Sequence, residues 1–195
     1  MEGKVFFDGF DSWGALAFQV NPHPQRYPLS GLDVHHLRSA EGWLELGNPV
    51  EANQELDAIS PEHRAHPDVL LLRWHIYARA KMWHVCIVLA DALTTRTADD
   101  PRGWVALAET LYFMNRITDA YTVAYAKALE FPDSWRLLYG TARYACMLGR
   151  TTEAEQYLQL AIAVGDSKAV KRRARTDPDL APLWRRRRSS KRVAS

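Results

Sequence analysis

Residues 100–132, DPRGWVALAETLYFMNRITDAYTVAYAKALEFP, decide the fold. Asp100-Pro101 reads as a helix cap followed by proline at the first helical position. Trp104, Leu107, Ala108 and Leu111 then fall at i, i+3, i+4 and i+7, one face of a helix. Asn115 turns the chain. Ala120 and Ala124 mark a second helix with small residues where it meets the first, and Phe131-Pro132 ends the unit.

The same layout recurs every 34 residues. Ala52, Cys86, Ala120 and Ala154 form one row at that step. Gly47, Lys81, Asn115 and Gly149 form a second, five residues earlier. Further rows are Ala40, Trp74, Ala108 and Ala142; Trp43, Tyr77, Leu111 and Ala145; and Leu56, Ala90, Ala124 and Leu158. A 34-residue period with small residues at two phases signals stacked helical hairpins, because a hairpin of two short helices cannot bury its apolar stripes alone. Trp74 departs from the small-residue rule and implies wider local spacing or an outward ring.

The repeats run over 33–66, 67–100, 101–134 and 135–168. In the first, Asn48-Pro49-Val50-Glu51 restarts a helix, with Asn48 as its expected cap, and Ser60-Pro61-Glu62 breaks it or begins a further short turn. Residues 1–32 do not fit the period and hold several aromatics and prolines, which reads as a poorly ordered leader. A helix is expected within 169–184 as a cap on the last repeat, followed by a basic tail over 185–195.

Composition narrows the function classes. A chain of 195 residues with 47% apolar residues can bury a continuous core, and its two cysteines are too few to staple it. Cys86, on a small-residue phase, reads as a buried small hydrophobe. No apolar run reaches membrane-spanning length, and the N-terminus lacks secretory-signal features, so a cytoplasmic location is expected. No glycine-rich phosphate loop, nucleophile elbow or zinc-protease motif occurs. Neither catalytic residues nor a cofactor is expected. His35-His36 and His63-x-x-His66 lack the further ligands of a metal site and read as surface histidines.

The net charge of +2 hides a division. Lys168, Lys171, Arg172, Arg173, Arg175, Arg185, Arg186, Arg187, Arg188, Lys191 and Arg192 crowd the C-terminal end, against only Asp177 and Asp179. By counting, the body carries about −7 and this end about +9.

These phases resemble the tetratricopeptide repeat, whose pattern is W-x-x-L-G-x-x-Y followed by G, A, F, A and P. Trp104, Leu107, Ala108, Leu111, Asn115, Ala120 and Pro132 follow it in order, and Gly149, Ala154, Ala161, Gly47 and Ala52 supply matching places in other repeats. Lys127 stands where alanine is usual, and Arg64, Ala98 and Asp166 stand at the phase of Pro132. The segment Asp177-Pro178-Asp179-Leu180-Ala181-Pro182-Leu183-Trp184 is similar to the end of many small bacterial members of that family.

The resemblance implies an all-α right-handed superhelix of four helix-turn-helix repeats with a C-terminal capping helix. It also implies a non-enzymatic scaffold or adaptor that holds a peptide or helix of another protein in a groove lined by the first helix of each repeat. Carrying the groove phases over gives His75, Arg102, Glu109, Tyr112, Arg136, Tyr139 and Arg143. Chaperone-tail binding is not carried over, because Leu37, Glu41 and His75 occupy its carboxylate-clamp positions. The alternative is a nucleic-acid-associated adaptor working through Arg185, Arg186, Arg187, Arg188, Lys191 and Arg192. A monomer or weak homo-oligomer is expected.

Overall fold

A computed structural model describes residues 28–185. Helix α1 spans Gly31–Glu45, α2 Pro49–Ala58, α3 Pro67–Arg79, α4 Trp83–Arg96, α5 Pro101–Phe113, α6 Ile117–Glu130, α7 Trp135–Met147, α8 Thr151–Val164 and α9 Ser167–Thr176. Short 3₁₀ turns cover Pro61–His63 and Pro178–Leu180, and residues 181–185 are helical. The described residues contain no strand. None of their helices is long and apolar enough to cross a membrane.

The sequence period reappears in the helices. Pro67, Pro101 and Trp135 open α3, α5 and α7 at steps of 34 residues, as do Pro49, Trp83, Ile117 and Thr151 for the even-numbered helices α2 to α8. Proline fits the first helical position because its missing N–H would find no partner there. Asp100 completes the start of α5, its side chain accepting from the Arg102 N–H at 2.9 Å. Asn48 stands before Pro49 but makes no side-chain capping bond. Its own N–H is used in the preceding turn.

That turn is one motif made four times. Gly47, Lys81, Asn115 and Gly149 are the described residues with positive φ, at 83°, 56°, 60° and 77°. Each lies just past a helix end, and its N–H donates to a carbonyl three residues back: Leu44, Ala78, Tyr112 and Cys146. The next N–H donates five residues back, to Trp43, Tyr77, Leu111 and Ala145. This pair of bonds is the Schellman closure, which satisfies carbonyls that the helix leaves open. It reverses the chain into the next helix within three residues.

Three of the sequence rows are buried throughout: Ala52, Cys86, Ala120 and Ala154; Ala40, Trp74, Ala108 and Ala142; and Leu56, Ala90, Ala124 and Leu158. Trp74 is thus turned inward rather than outward. Lys127, at an alanine phase, sets its ammonium 4.0 Å above the Trp104 ring and pairs with Glu130 at 2.7 Å.

The chain divides into two compact units, the first ending at Val85 and the second beginning at Cys86. In the first, α1, α2 and α3 pack on one another around Leu37, Leu44, Leu56, Ile59, Val69 and Leu72. Arg73 ties α3 to the end of α2 through Asn53, the Leu56 carbonyl and Asp57, and Arg79 donates to the Leu44 carbonyl. In the second, α7 is central, with α5, α6, α8 and the Pro178–Leu180 turn packed around it. Every residue from Leu137 to Cys146 is buried as a result, since a helix covered on all sides keeps no solvent face.

Candidate functional site

The second unit gathers its polar chemistry on α5 and α7, where the chain's own C-terminal segment lies. Asp166 caps α9 by accepting from the N–H groups of Lys168 and Ala169 at 2.9 and 3.0 Å. After α9, Asp177 accepts from the Asp179 N–H at 3.0 Å, which starts the 3₁₀ turn. The two carboxylates then point at α5 and α7. The Tyr139 hydroxyl donates to Asp177 at 2.7 Å, and the Tyr112 hydroxyl donates to Asp179 at 2.8 Å.

Arg143 completes the arrangement. Its Nε stands 3.2 Å from Asp179 Oδ2, and its guanidinium lies 3.9 Å over the Tyr112 ring. A planar cation is suited to this double role, since one edge meets a carboxylate while its face stacks on an aromatic ring. Leu180 and Leu183 are buried beside these polar contacts, each worth roughly 1.5–3 kcal/mol by transfer from water. The Trp184 indole N–H donates to the Ala174 carbonyl at 3.0 Å and holds the end of the segment against α9.

Burial shapes the electrostatics. It raises the Glu109 carboxyl above the usual range, against the pull of Arg143, Arg173 and Arg136, and Glu109 Oε1 has no hydrogen-bond partner among the described residues. Burial also lowers Arg136 and Arg173. For Arg143 burial acts the same way but is outweighed by Tyr144, Asp177, Tyr112 and Glu109, so its proton is held more tightly than usual. Tyr139 is driven upward by burial, then by Asp177.

Of the residues that the groove phases select, the structure brings Tyr112, Tyr139 and Arg143 together around Asp177 and Asp179. Glu109 and Arg136 are near enough to feel each other's charge, and the Arg136 guanidinium stands 4.8 Å over the Trp135 ring. Arg102 pairs with Asp100 at 2.7 Å. His75 lies on α3 in the first unit, half-buried beside Trp74 at a ring separation of 5.1 Å. The face on α5 and α7 is therefore covered by residues 177–184, which the sequence reading placed only as part of a cap. Among the tail residues, Arg185 is exposed. Arg186, Arg187, Arg188, Lys191 and Arg192 lie outside the described residues, as does the leader up to residue 27. Helix α1 begins at Gly31, two residues earlier than the repeat boundary read from sequence.

The first unit holds a second polar cluster that sequence reading missed. Asp33 is buried and accepts from the Ser30 hydroxyl at 2.7 Å, from the Ser60 N–H at 2.8 Å and from the Ser60 hydroxyl at 3.0 Å. His63 Nδ1 is 2.6 Å away. Ser30 in turn accepts from the Asp33 N–H at 3.1 Å. The available signal was Ser30-x-x-Asp33, a reciprocal capping pattern. The Ser60 N–H holds the Asp33 carboxyl far below the usual range, with Ser30, His63 and the Ser60 hydroxyl adding to the effect against burial. Both serine hydroxyls donate to the carboxylate, which makes this cluster a clasp between α1 and the 3₁₀ turn.

His36 and His66 are also occupied. His36 pairs with Glu55 at 2.8 Å, and the His66 ring accepts from the Asp68 N–H. Cys86 and Cys146 are buried thiols outside any disulfide, and burial pushes the Cys86 thiol up to about 12.

No family model, curated protein or solved structure matches the chain.

Proposed function

We infer that this protein is an interaction module of the tetratricopeptide class that holds short peptide or helical segments of partner proteins on its odd-numbered helices, with no chemistry of its own. The observation that carries the reading is the seat of residues 177–184. There the α5–α7 face holds a short acidic segment, a 3₁₀ turn running into a helical turn, that belongs to the same chain. The recurring helix starts and Schellman turns support the repeat class.

The occupant defines the chemistry of a partner: two carboxylates separated by one residue, then a leucine. Tyr139 takes the first carboxylate and Tyr112 with Arg143 the second, while the leucine enters the apolar floor. A partner segment competes with the attached one, whose effective concentration is on the order of millimolar for a short tether. Partner binding thus requires the resident segment to loosen.

Fluorescence anisotropy tests this with a labelled peptide of the sequence of residues 175–185 and the full chain. The Asp177→Ala/Asp179→Ala chain should bind the peptide at least tenfold more tightly than the parent. Adding Arg143→Gln should abolish that gain. Equal binding by all three chains would remove the face as a recognition site.

A further inference from the structure

Helix α9 sorts its residues by charge around its axis. Lys168, Lys171, Arg172 and Arg175 stand at i, i+3, i+4 and i+7 and are all exposed. At 3.6 residues per turn they share an arc of about 100°, spread over about 10 Å of helix. Val170 and Ala174 lie on the other side and are buried. The fifth cation, Arg173, is turned inward, 5.4 Å from the Tyr139 ring centroid.

The acids nearest in sequence leave this stripe largely uncompensated. Asp177 and Asp179 face inward, to Tyr139, Tyr112 and Arg143. Asp166 sits at the cap, where the N–H groups of Ala169 and Lys168 hold its carboxyl below the usual range, with Lys168 and Arg172 adding to the effect. Helix stability does not account for the pattern either. Cations favour the last turn, where Arg173 and Arg175 lie, but Lys168 is in the first turn, where the helix dipole opposes it. Trp184, bonded to Ala174, brings the exposed Arg185 to the same helix.

We propose that the α9 stripe is a docking face for nucleic acid that contacts phosphates without reading bases. A polyanion with a charge every few ångströms matches a row of long cationic arms. A bilayer is the poorer fit. An interfacial helix inserts its apolar side among lipids, whereas the apolar side of α9 is buried in its own protein. The inference stands apart from the peptide face, since it uses different residues and a different ligand.

The test is anisotropy of fluorescein-labelled 20-nucleotide RNA and DNA of mixed sequence with the full chain, from 50 to 200 mM salt. The comparison is Lys168→Gln/Lys171→Gln/Arg172→Gln/Arg175→Gln, with circular dichroism confirming that its helix content is unchanged. The parent should bind both probes. The variant should bind at least tenfold more weakly at 50 mM salt, and the slope of log affinity against log salt should fall by about 3, from 0.7–0.9 per lost phosphate contact. Equal affinity and slope for the two chains would overturn the proposal. So would no binding by the parent, a strong base preference, or binding to vesicles with one-third anionic lipid that RNA does not displace.

Discussion

Arg143 and Asp179 meet at 3.2 Å inside the second unit, and the Tyr112 hydroxyl donates to the same carboxylate at 2.8 Å. A pair this buried is costly to break from one side, because the surviving charge keeps its desolvation penalty. Arg143→Leu should therefore lower stability by about 3–5 kcal/mol in urea denaturation. Tyr139→Phe, which takes one hydroxyl from Asp177, should cost about 1.5–3 kcal/mol, the usual worth of a hydrogen bond to a charged group. A loss below that range for both would mean that water replaces these contacts freely.

Lys81 carries a left-handed backbone at φ 56°, where two of its three counterparts are glycine. An L side chain in that region costs about 1–2 kcal/mol. Lys81→Gly should stabilise the protein by about 1 kcal/mol after the extra chain entropy of glycine is subtracted. Gly149→Ala should destabilise it by a similar amount. Denaturation midpoints measured on both variants decide the matter, and Lys81→Gly fails the prediction if its midpoint drops.

Two other glycines should respond in opposite directions. A Cβ on Gly165 would meet Trp135 Cγ at 2.9 Å and the Ala161 carbonyl oxygen at 3.1 Å. Gly165→Ala should therefore cost about 1–3 kcal/mol through overpacking. Gly42 lies within α1 with nothing inside 4 Å of such a Cβ, so Gly42→Ala should gain about 0.5–1 kcal/mol from helix propensity. Calorimetric melting points with the same sign for both would refute the packing argument.

Asp33 sets an expected acid limit. The Ser60 N–H and then Ser30 hold its carboxyl below its usual value, near 3.9 for an unfolded aspartate (about). The folded state thus binds fewer protons between those two values. Its contribution is present in full above the unfolded value and fades as pH falls toward the folded one. Melting temperature should drop steeply below about pH 4, and Asp33→Asn should melt lower at neutral pH with a shallower acid slope. Parallel profiles would show that the clasp carries no linkage.

Much of the fold was legible because its determinants are local. The row Gly47, Lys81, Asn115 and Gly149 coincides with all four left-handed turns, since those residues close hydrogen bonds only three and five positions back. Prolines 49, 67 and 101 mark helix starts for the same local reason. The candidate site was legible only in part. Phases on α5 and α7 selected Tyr112, Tyr139 and Arg143, but nothing in them said that the chain would cover these residues itself. Asn48 looked like a cap, yet its side chain makes no capping bond.

The sequence by itself determined the period, the turn positions and which residues share a helix face, because these follow from hydrogen bonds and spacings within a few residues. Only the tertiary structure decided where Asp177 and Asp179 point. Their partners Tyr139 and Tyr112 are 38 and 67 residues away, and such a distance is closed by stacking the intervening helices rather than by any local pattern. Turning those two acids inward left Lys168, Lys171, Arg172 and Arg175 facing outward without them, a division of charge that composition had shown only as a sum.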